Sequence, residues 1–178
     1  VTRRRYPLAP HSRLLRNDGG KFVDVTAELA PQLQKTGLVT SAIWSDADGD
    51  GFLDLLVTHE WGPVKLFANQ NGKLVDRTKE AGLLDRTGWG NGIAARDVDG
   101  DGDIDYAVTN FGLNTKYHAS MKHPALLYYG EFENNGVMRL VEAEFEDEQL
   151  FPIRGKSCST KAMPSLGPKF RTYESFAL

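Results

Sequence analysis

Two stretches of the chain gather carboxylates at a spacing able to enclose a cation: Asp46-Ala-Asp48-Gly49-Asp50-Gly51-Phe52-Leu53-Asp54 and Asp97-Val-Asp99-Gly100-Asp101-Gly102-Asp103-Ile-Asp105. Both read DxDGDGxxD, and the second follows the first at an offset of 51 residues, from Asp46 to Asp97. Carboxylates at loop positions 1, 3 and 5 converge only if the chain curls tightly, and Gly at position 6 permits that turn. The backbone carbonyl of position 7 and the carboxylate of position 9 then close an oxygen shell. Hard oxygen donors with no Cys or His among them favour calcium over zinc or copper, and so many carboxylates exceed what magnesium usually takes. The first loop holds four carboxylates and the second five. Two such charges about 4 Å apart repel by roughly 4 kcal/mol at an effective dielectric near 20, so a cation is needed to keep the loop closed. A single copy would also fit a solvated acidic turn; spacing, glycine placement and repetition together favour the metal site.

The elements that must carry these loops are strands. An EF-hand ends its loop in Glu at position 12 and runs into a helix, whereas position 12 here is Val57 or Val108. The residues that follow, Phe52-Leu-Asp-Leu-Leu-Val-Thr58 and Ile104-Asp-Tyr-Ala-Val-Thr109, are short β-rich runs. Thr40–Ser45 and Gly92–Arg96 read as the strands entering each loop.

The repetition extends beyond the loops. Thr36-Gly37 matches Thr87-Gly88 and Val57-Thr58 matches Val108-Thr109, again 51 residues apart. A second element, Asn17-Asp-Gly-Gly20-Lys21-Phe-Val-Asp24-Val-Thr26, returns as Asn69-Gln-Asn-Gly72-Lys73-Leu-Val-Asp76-Arg-Thr78 at an offset of 52. One unit therefore predicts strands at 40–45, 52–58, 64–69 and 73–77, with turns at Trp61-Gly62-Pro63 and Asn71-Gly72. Four antiparallel strands in about 50 residues make a propeller blade, so the fold class expected is all-β.

These residues resemble the FG-GAP or VCBS repeats of integrin-α-like β-propellers. Trp89-Gly90 stands where that family has Phe-Gly, Leu38-Val39 replaces the dipeptide in the first blade, and Gly62-Pro63 is similar to its Gly-Ala-Pro element. The resemblance covers residues 12 to 112 and implies calcium at two sites. Its ligands would be Asp46, Asp48, Asp50 and Asp54 with the Phe52 carbonyl, and Asp97, Asp99, Asp101 and Asp105 with the Asp103 carbonyl.

A degenerate third copy follows, in which Ala125–Tyr129 enters Glu131-Phe-Glu133-Asn-Asn135-Gly136-Val-Met-Arg139 and Leu140–Ala143 leaves it. A guanidinium at position 9 cannot ligate calcium, but it can supply the missing charge by pairing with Glu131 and Glu133. The expected organisation is thus a tail and outer strands of a preceding blade over 1–26, a blade over 27–78, a second over 79–124, a degenerate blade over 125–153 and an insertion or C-terminal tail over 154–178. The last segment resembles insertions in bacterial FG-GAP proteins of the type that carry an ASPIC/UnbV domain. Closed propellers take four to eight blades, so the chain reads as part of a propeller whose other blades lie in a longer protein, and the resemblance implies a seven-bladed one.

Composition narrows the function. A net charge of −3 and a sequence pI of about 5.8 argue against nucleic-acid binding, and Arg3-Arg4-Arg5 reads as a solvated tail. No run of 18 apolar residues is present to span a membrane. The single cysteine, Cys158, forbids an internal disulfide and reads as a buried or idle thiol; His59, His118 and His123 read as surface or loop residues. Weak calcium sites suit the calcium-rich exterior, so an extracellular, periplasmic or cell-surface location is expected. Two functional readings follow. One is a non-catalytic module whose calcium staples its loops for protein or carbohydrate binding or adhesion. The other is the propeller scaffold of a secreted enzyme with catalytic residues outside this segment. The first is favoured because the clustered carboxylates are already engaged by the metal loops, which leaves no pair for acid and base work.

Overall fold

The computed structural model describes residues 6–112 and 114–177, so the Arg3-Arg4-Arg5 run lies outside the described residues. The chain divides into two compact units, Val1–Gly112 and Leu113–Leu178. The first opens with a hairpin, β1 (Leu15–Asp18) and β2 (Lys21–Asp24), then a helical turn α1 (Thr26–Leu29). Strands β3 (Leu38–Ser45), β4 (Asp54–Glu60), β5 (Gly62–Pro63), β6 (Lys65–Gln70) and β7 (Lys73–Asp76) follow, and then β8 (Thr87–Gly88), β9 (Gly90–Arg96) and β10 (Asp105–Asn110).

Strands β3, β4, β6 and β7 form one antiparallel sheet in that order, the four-strand arrangement of a blade. The chain is thus all-β in its dominant architecture, built of antiparallel sheets. Its central strand β4 is buried from Asp54 to His59, as expected of a strand covered on both faces. On one face Leu55 and Val57 join Phe67 and Leu74 with Ala30 and Leu33, and Leu14 packs against them. Burying a side chain such as Phe67, which is fully covered, contributes about 1.5–3 kcal/mol. The turn between β6 and β7 places Asn71 at φ 54° and Gly72 at φ 86°, the paired positive angles of the tight hairpin turn that Asn-Gly favours.

The second sheet, β9 with β10, packs by β9 against β3 and β4. The approach is so close that a Cβ on Gly90 would lie 2.9 Å from the Thr58 side chain. The Thr40 hydroxyl donates to the Gly90 carbonyl at 2.6 Å. Its 2.9 Å contact with Thr58 must then have Thr58 as donor. The short β5–β8 pair, a tilted contact of Trp61 with Trp89 at 5.3 Å and a stack of Trp89 on Phe111 at 5.0 Å hold the same region.

Two expectations are corrected. Strand β4 starts at Asp54 and not at residue 52, because Phe52 and Leu53 still belong to the loop that Asp54 closes. His59 is not a surface residue: it is 3% exposed, its Nδ1 lies 2.8 Å from the Pro63 carbonyl and its Nε2 lies 3.2 Å from the Thr36 hydroxyl. A carbonyl only accepts, so Nδ1 carries the proton and Thr36 donates to Nε2. Burial pushes the His59 pKa down, outweighing the Pro63 hydrogen bond that opposes it.

The second unit is a meander of β11 (Leu126–Glu131), β12 (Met138–Glu146) and β13 (Gln149–Pro152), followed by α2 (Lys156–Ala162), α3 (Leu166–Lys169) and α4 (Tyr173–Ala177). The stretch that breaks the repeat in sequence is thus largely helical here. Cys158, on α2, is exposed rather than buried.

Candidate metal centres

Each acidic loop joins adjacent strands of one sheet, β3 to β4 and β9 to β10. The backbone winds around the first carboxylate. Asp46 accepts from Gly49 N–H at 2.9 Å and Gly51 N–H at 3.0 Å; Asp97 accepts from Gly100 at 2.7 Å and Gly102 at 3.1 Å. Position 5 braces position 7, with Phe52 N–H on Asp50 at 2.8 Å and Asp103 N–H on Asp101 at 2.9 Å. Position 9 reaches back to position 2, with Ala47 N–H on Asp54 and Val98 N–H on Asp105, each at 2.9 Å. The glycines at positions 4 and 6 have φ between 74° and 98° in both loops, a left-handed curl that other residues adopt at a cost.

This winding gathers Asp46, Asp48 and Asp50 so that one carboxylate oxygen of each lies within 4.8 Å of the others; Asp97, Asp99 and Asp105 meet the same test. Oxygens bound to one calcium at 2.3–2.6 Å stand up to about 5 Å apart, so both triads fit the ion in spacing and in donor chemistry. Of the other expected ligands, Asp54 is fully buried and anchored to Ala47 N–H. Asp101 and Asp103 stay exposed on the second loop, and the Phe52 and Asp103 amides are tied to position 5. Lost hydration, then the charges of Asp54, Asp50 and Asp46, hold the Asp48 carboxyl above its ordinary pKa. A cation at that point would relieve the like-charge part of that shift.

Sequence reasoning missed Asn69. Its backbone N–H donates to Asp54 at 2.7 Å and its side chain to the Leu53 carbonyl at 3.1 Å. Strand β6 thereby holds the far end of the first loop, and the recurrence of Asn17 as Asn69 was the available signal.

The third loop has the same winding without the acid at position 9. Glu131 accepts from Gly136 N–H and Asn135 from Val137 N–H at 3.0 Å; positions 4 and 6, Asn134 and Gly136, have φ 52° and 73°. Arg139 lies 3.7 Å from Glu133, but Glu131 is engaged by Gly136 rather than by the guanidinium expected to pair with it. The hydrogen bonds from Ser165 do more than Arg139 to hold the Glu133 carboxyl below its ordinary pKa.

Residues 46–108 match the family model described as an FG-GAP-like repeat. The chain carries an FG-GAP-like repeat. The matched FG-GAP-like segment begins at the first carboxylate of one loop and ends on β10, so both acidic loops lie inside it. No curated protein matches the chain. No helix among the described residues is long and apolar enough to cross a membrane.

Proposed function

We propose that both acidic loops bind calcium and that the FG-GAP-like repeat is a non-catalytic recognition module of an exported or cell-surface protein, its blade loops stapled by the ion so that propeller surface can engage a protein or carbohydrate. The observation that carries this reading is the recurrence of one hydrogen-bonded winding that brings three carboxylates together in each loop. The first ion would be held by Asp46, Asp48 and Asp50 with Asp54 closing the shell, the second by Asp97, Asp99 and Asp105 with Asp101. Calcium supplies charge neutralisation that the loop lacks by itself. The backbone N–H groups that wind on Asp46 and Asp97 set the curl, and Asp54 ties the loop to β6. This is structural work, so saturation raises stability without a second conformation. At a calcium concentration 100 times Kd, each site adds about 2.7 kcal/mol.

Isothermal titration of EDTA-stripped protein with calcium, with a thermal melt at each end point, tests the reading. Two sites and a calcium-dependent rise in Tm are expected. Absence of binding up to several millimolar overturns it.

A further inference from the structure

The two acidic loops are joined at their bases by a hydrogen bond that crosses from one sheet of the first unit to the other. Tyr106, on β10, donates its hydroxyl to the Ser45 hydroxyl, on β3, at 2.8 Å. Ser45 immediately precedes Asp46, the first carboxylate of the first loop, and Tyr106 immediately follows Asp105, the last carboxylate of the second. Asp46 and Asp105 each belong to the triad of their own loop. The bond thus connects the chain one residue before a carboxylate of one triad to the chain one residue after a carboxylate of the other.

Both ends are fixed by strand pairing. Ser45 stands opposite Asp54 in the last pair of the β3–β4 ladder before the loop. Tyr106 stands opposite Ala95, one pair inside the closing Asp105–Arg96 pair of the second ladder. Ser45 is 8% exposed and Tyr106 is half-buried, so the bond is partly shielded from water, and its length is ideal for two hydroxyls. Strand β9 packs against β3 and β4 within the same unit, which carries Tyr106 to Ser45. The repeat does not account for the bridge. At the offset of 51 that relates the loops, Tyr106 corresponds to Leu55 and Ser45 to Arg96. Leu55 has no hydroxyl and lies in the first core, so the hydroxyl pair belongs to this junction.

We propose that the Tyr106–Ser45 bridge couples the two loops, so that a calcium ion in one raises the affinity of the other; this rests on the reading of both loops as calcium sites. Carboxylate repulsion pushes an empty loop open, and the strand ends that bear it loosen with it. An ion that closes the second loop fixes Asp105, hence Tyr106, and through the bridge Ser45 and the start of the first loop. The other ion then meets a loop whose base is already ordered, and the ordering cost falls once rather than twice. Linkage makes the effect reciprocal, each ion raising the affinity of the other site by the same factor. Tyr106 and Ser45 touch no ion; they are positioning residues. Charge works in the opposite sense, since one ion lowers the negative potential that draws the other. That effect fades beyond about 8 Å at physiological ionic strength and depends on neither hydroxyl.

Calorimetric titration of the full chain with calcium, at physiological ionic strength, reads the coupling. Asp99→Lys silences the second site and Asp48→Lys the first, each through an exposed member of its triad that takes no part in the bridge. The two-ion binding constant of the parent, divided by the product of the two single-site constants, gives the coupling factor. The same three titrations are repeated with Tyr106→Phe, which keeps the ring and removes the hydroxyl, so any effect of the lysine charges cancels between the two sets. The factor in the parent is expected to exceed that in the Tyr106→Phe set about fivefold, the contribution of one intramolecular hydrogen bond. Ser45→Ala should lower it equally, and the two substitutions together no further than either alone. Equal factors in the parent and Tyr106→Phe sets overturn the coupling while leaving two calcium sites in place. A loss in Tyr106→Phe that Ser45→Ala does not reproduce also overturns it. Absence of binding by the parent overturns the reading of the loops themselves, and the coupling with it.

Discussion

Asp54 and Asp105 occupy position 9 of the same loop, and each accepts the N–H of position 2 at 2.9 Å. Asp54 is fully buried and also takes the Asn69 N–H from β6; Asp105 is exposed, on a strand that pairs with one other among the described residues. The difference shows that loop chemistry and loop anchorage are separable. Nine residues are enough to wind backbone donors around a first carboxylate, but whether the last carboxylate is also a structural post depends on a strand contributed from elsewhere.

The largest test of that difference is Asp54→Ala against Asp105→Ala. Removing a buried acceptor of two N–H groups leaves both unpaired, at about 1–3 kcal/mol each, so Asp54→Ala should lower metal-free stability by about 2–6 kcal/mol and remove the first calcium site. Asp105→Ala should remove the second site at a cost below about 1.5 kcal/mol. Denaturant unfolding in EDTA, with calcium titration of each variant, measures both, and equal destabilisation would contradict the asymmetry.

A second contrast lies at the strand ends, where His59 of the first copy is replaced by Asn110 of the second. A Cβ on Gly37 would sit 3.1 Å from His59 and one on Gly88 3.2 Å from Asn110, so both side chains cover the repeated glycine. Only His59 titrates. Its folded pKa is depressed, so the neutral ring's contribution is complete above the unfolded value near 6.5 and is lost as pH falls from there towards the folded pKa, with a slope of at most about 1.4 kcal/mol per pH unit. Stability of His59→Asn should lose this component of its pH dependence between neutral and mildly acid pH, as read by unfolding at a series of pH values.

The third loop extends the comparison to a copy without an acid at position 9. Arg139→Asp should raise calcium stoichiometry by one site in titration calorimetry; an unchanged stoichiometry counts against Arg139 standing in for the ion. Asn134 holds at φ 52° the left-handed place that glycine occupies in the other loops, so Asn134→Gly should be the mildest change, within about 1 kcal/mol of the parent in thermal unfolding.

Much of this was legible before any coordinates. The spacing DxDGDGxxD dictates its own winding because every donor and acceptor in it is local: Gly51 to Asp46, Phe52 to Asp50, Ala47 to Asp54. The strand order was legible because Asn-Gly and the recurring offsets mark hairpins and repeats by local preference. The burial of His59, the exposure of Cys158 and the division of Glu131 and Glu133 between Gly136 and Arg139 were not. Those depend on which distant segment arrives alongside, and a residue type carries no record of that.

Sequence alone therefore determined the loops, the carboxylates they gather and the four-strand unit, since contacts a few residues apart are set by backbone angles and side-chain chemistry. Tertiary structure alone decided that Asp54 is buried and Asp105 is not, that Asn69 locks one loop, and that Leu15 and Phe22 stand exposed while Phe67 and Leu74 are covered. Strands equivalent in the repeat differ in energy according to whether an edge is paired, and pairing is a property of the whole sheet.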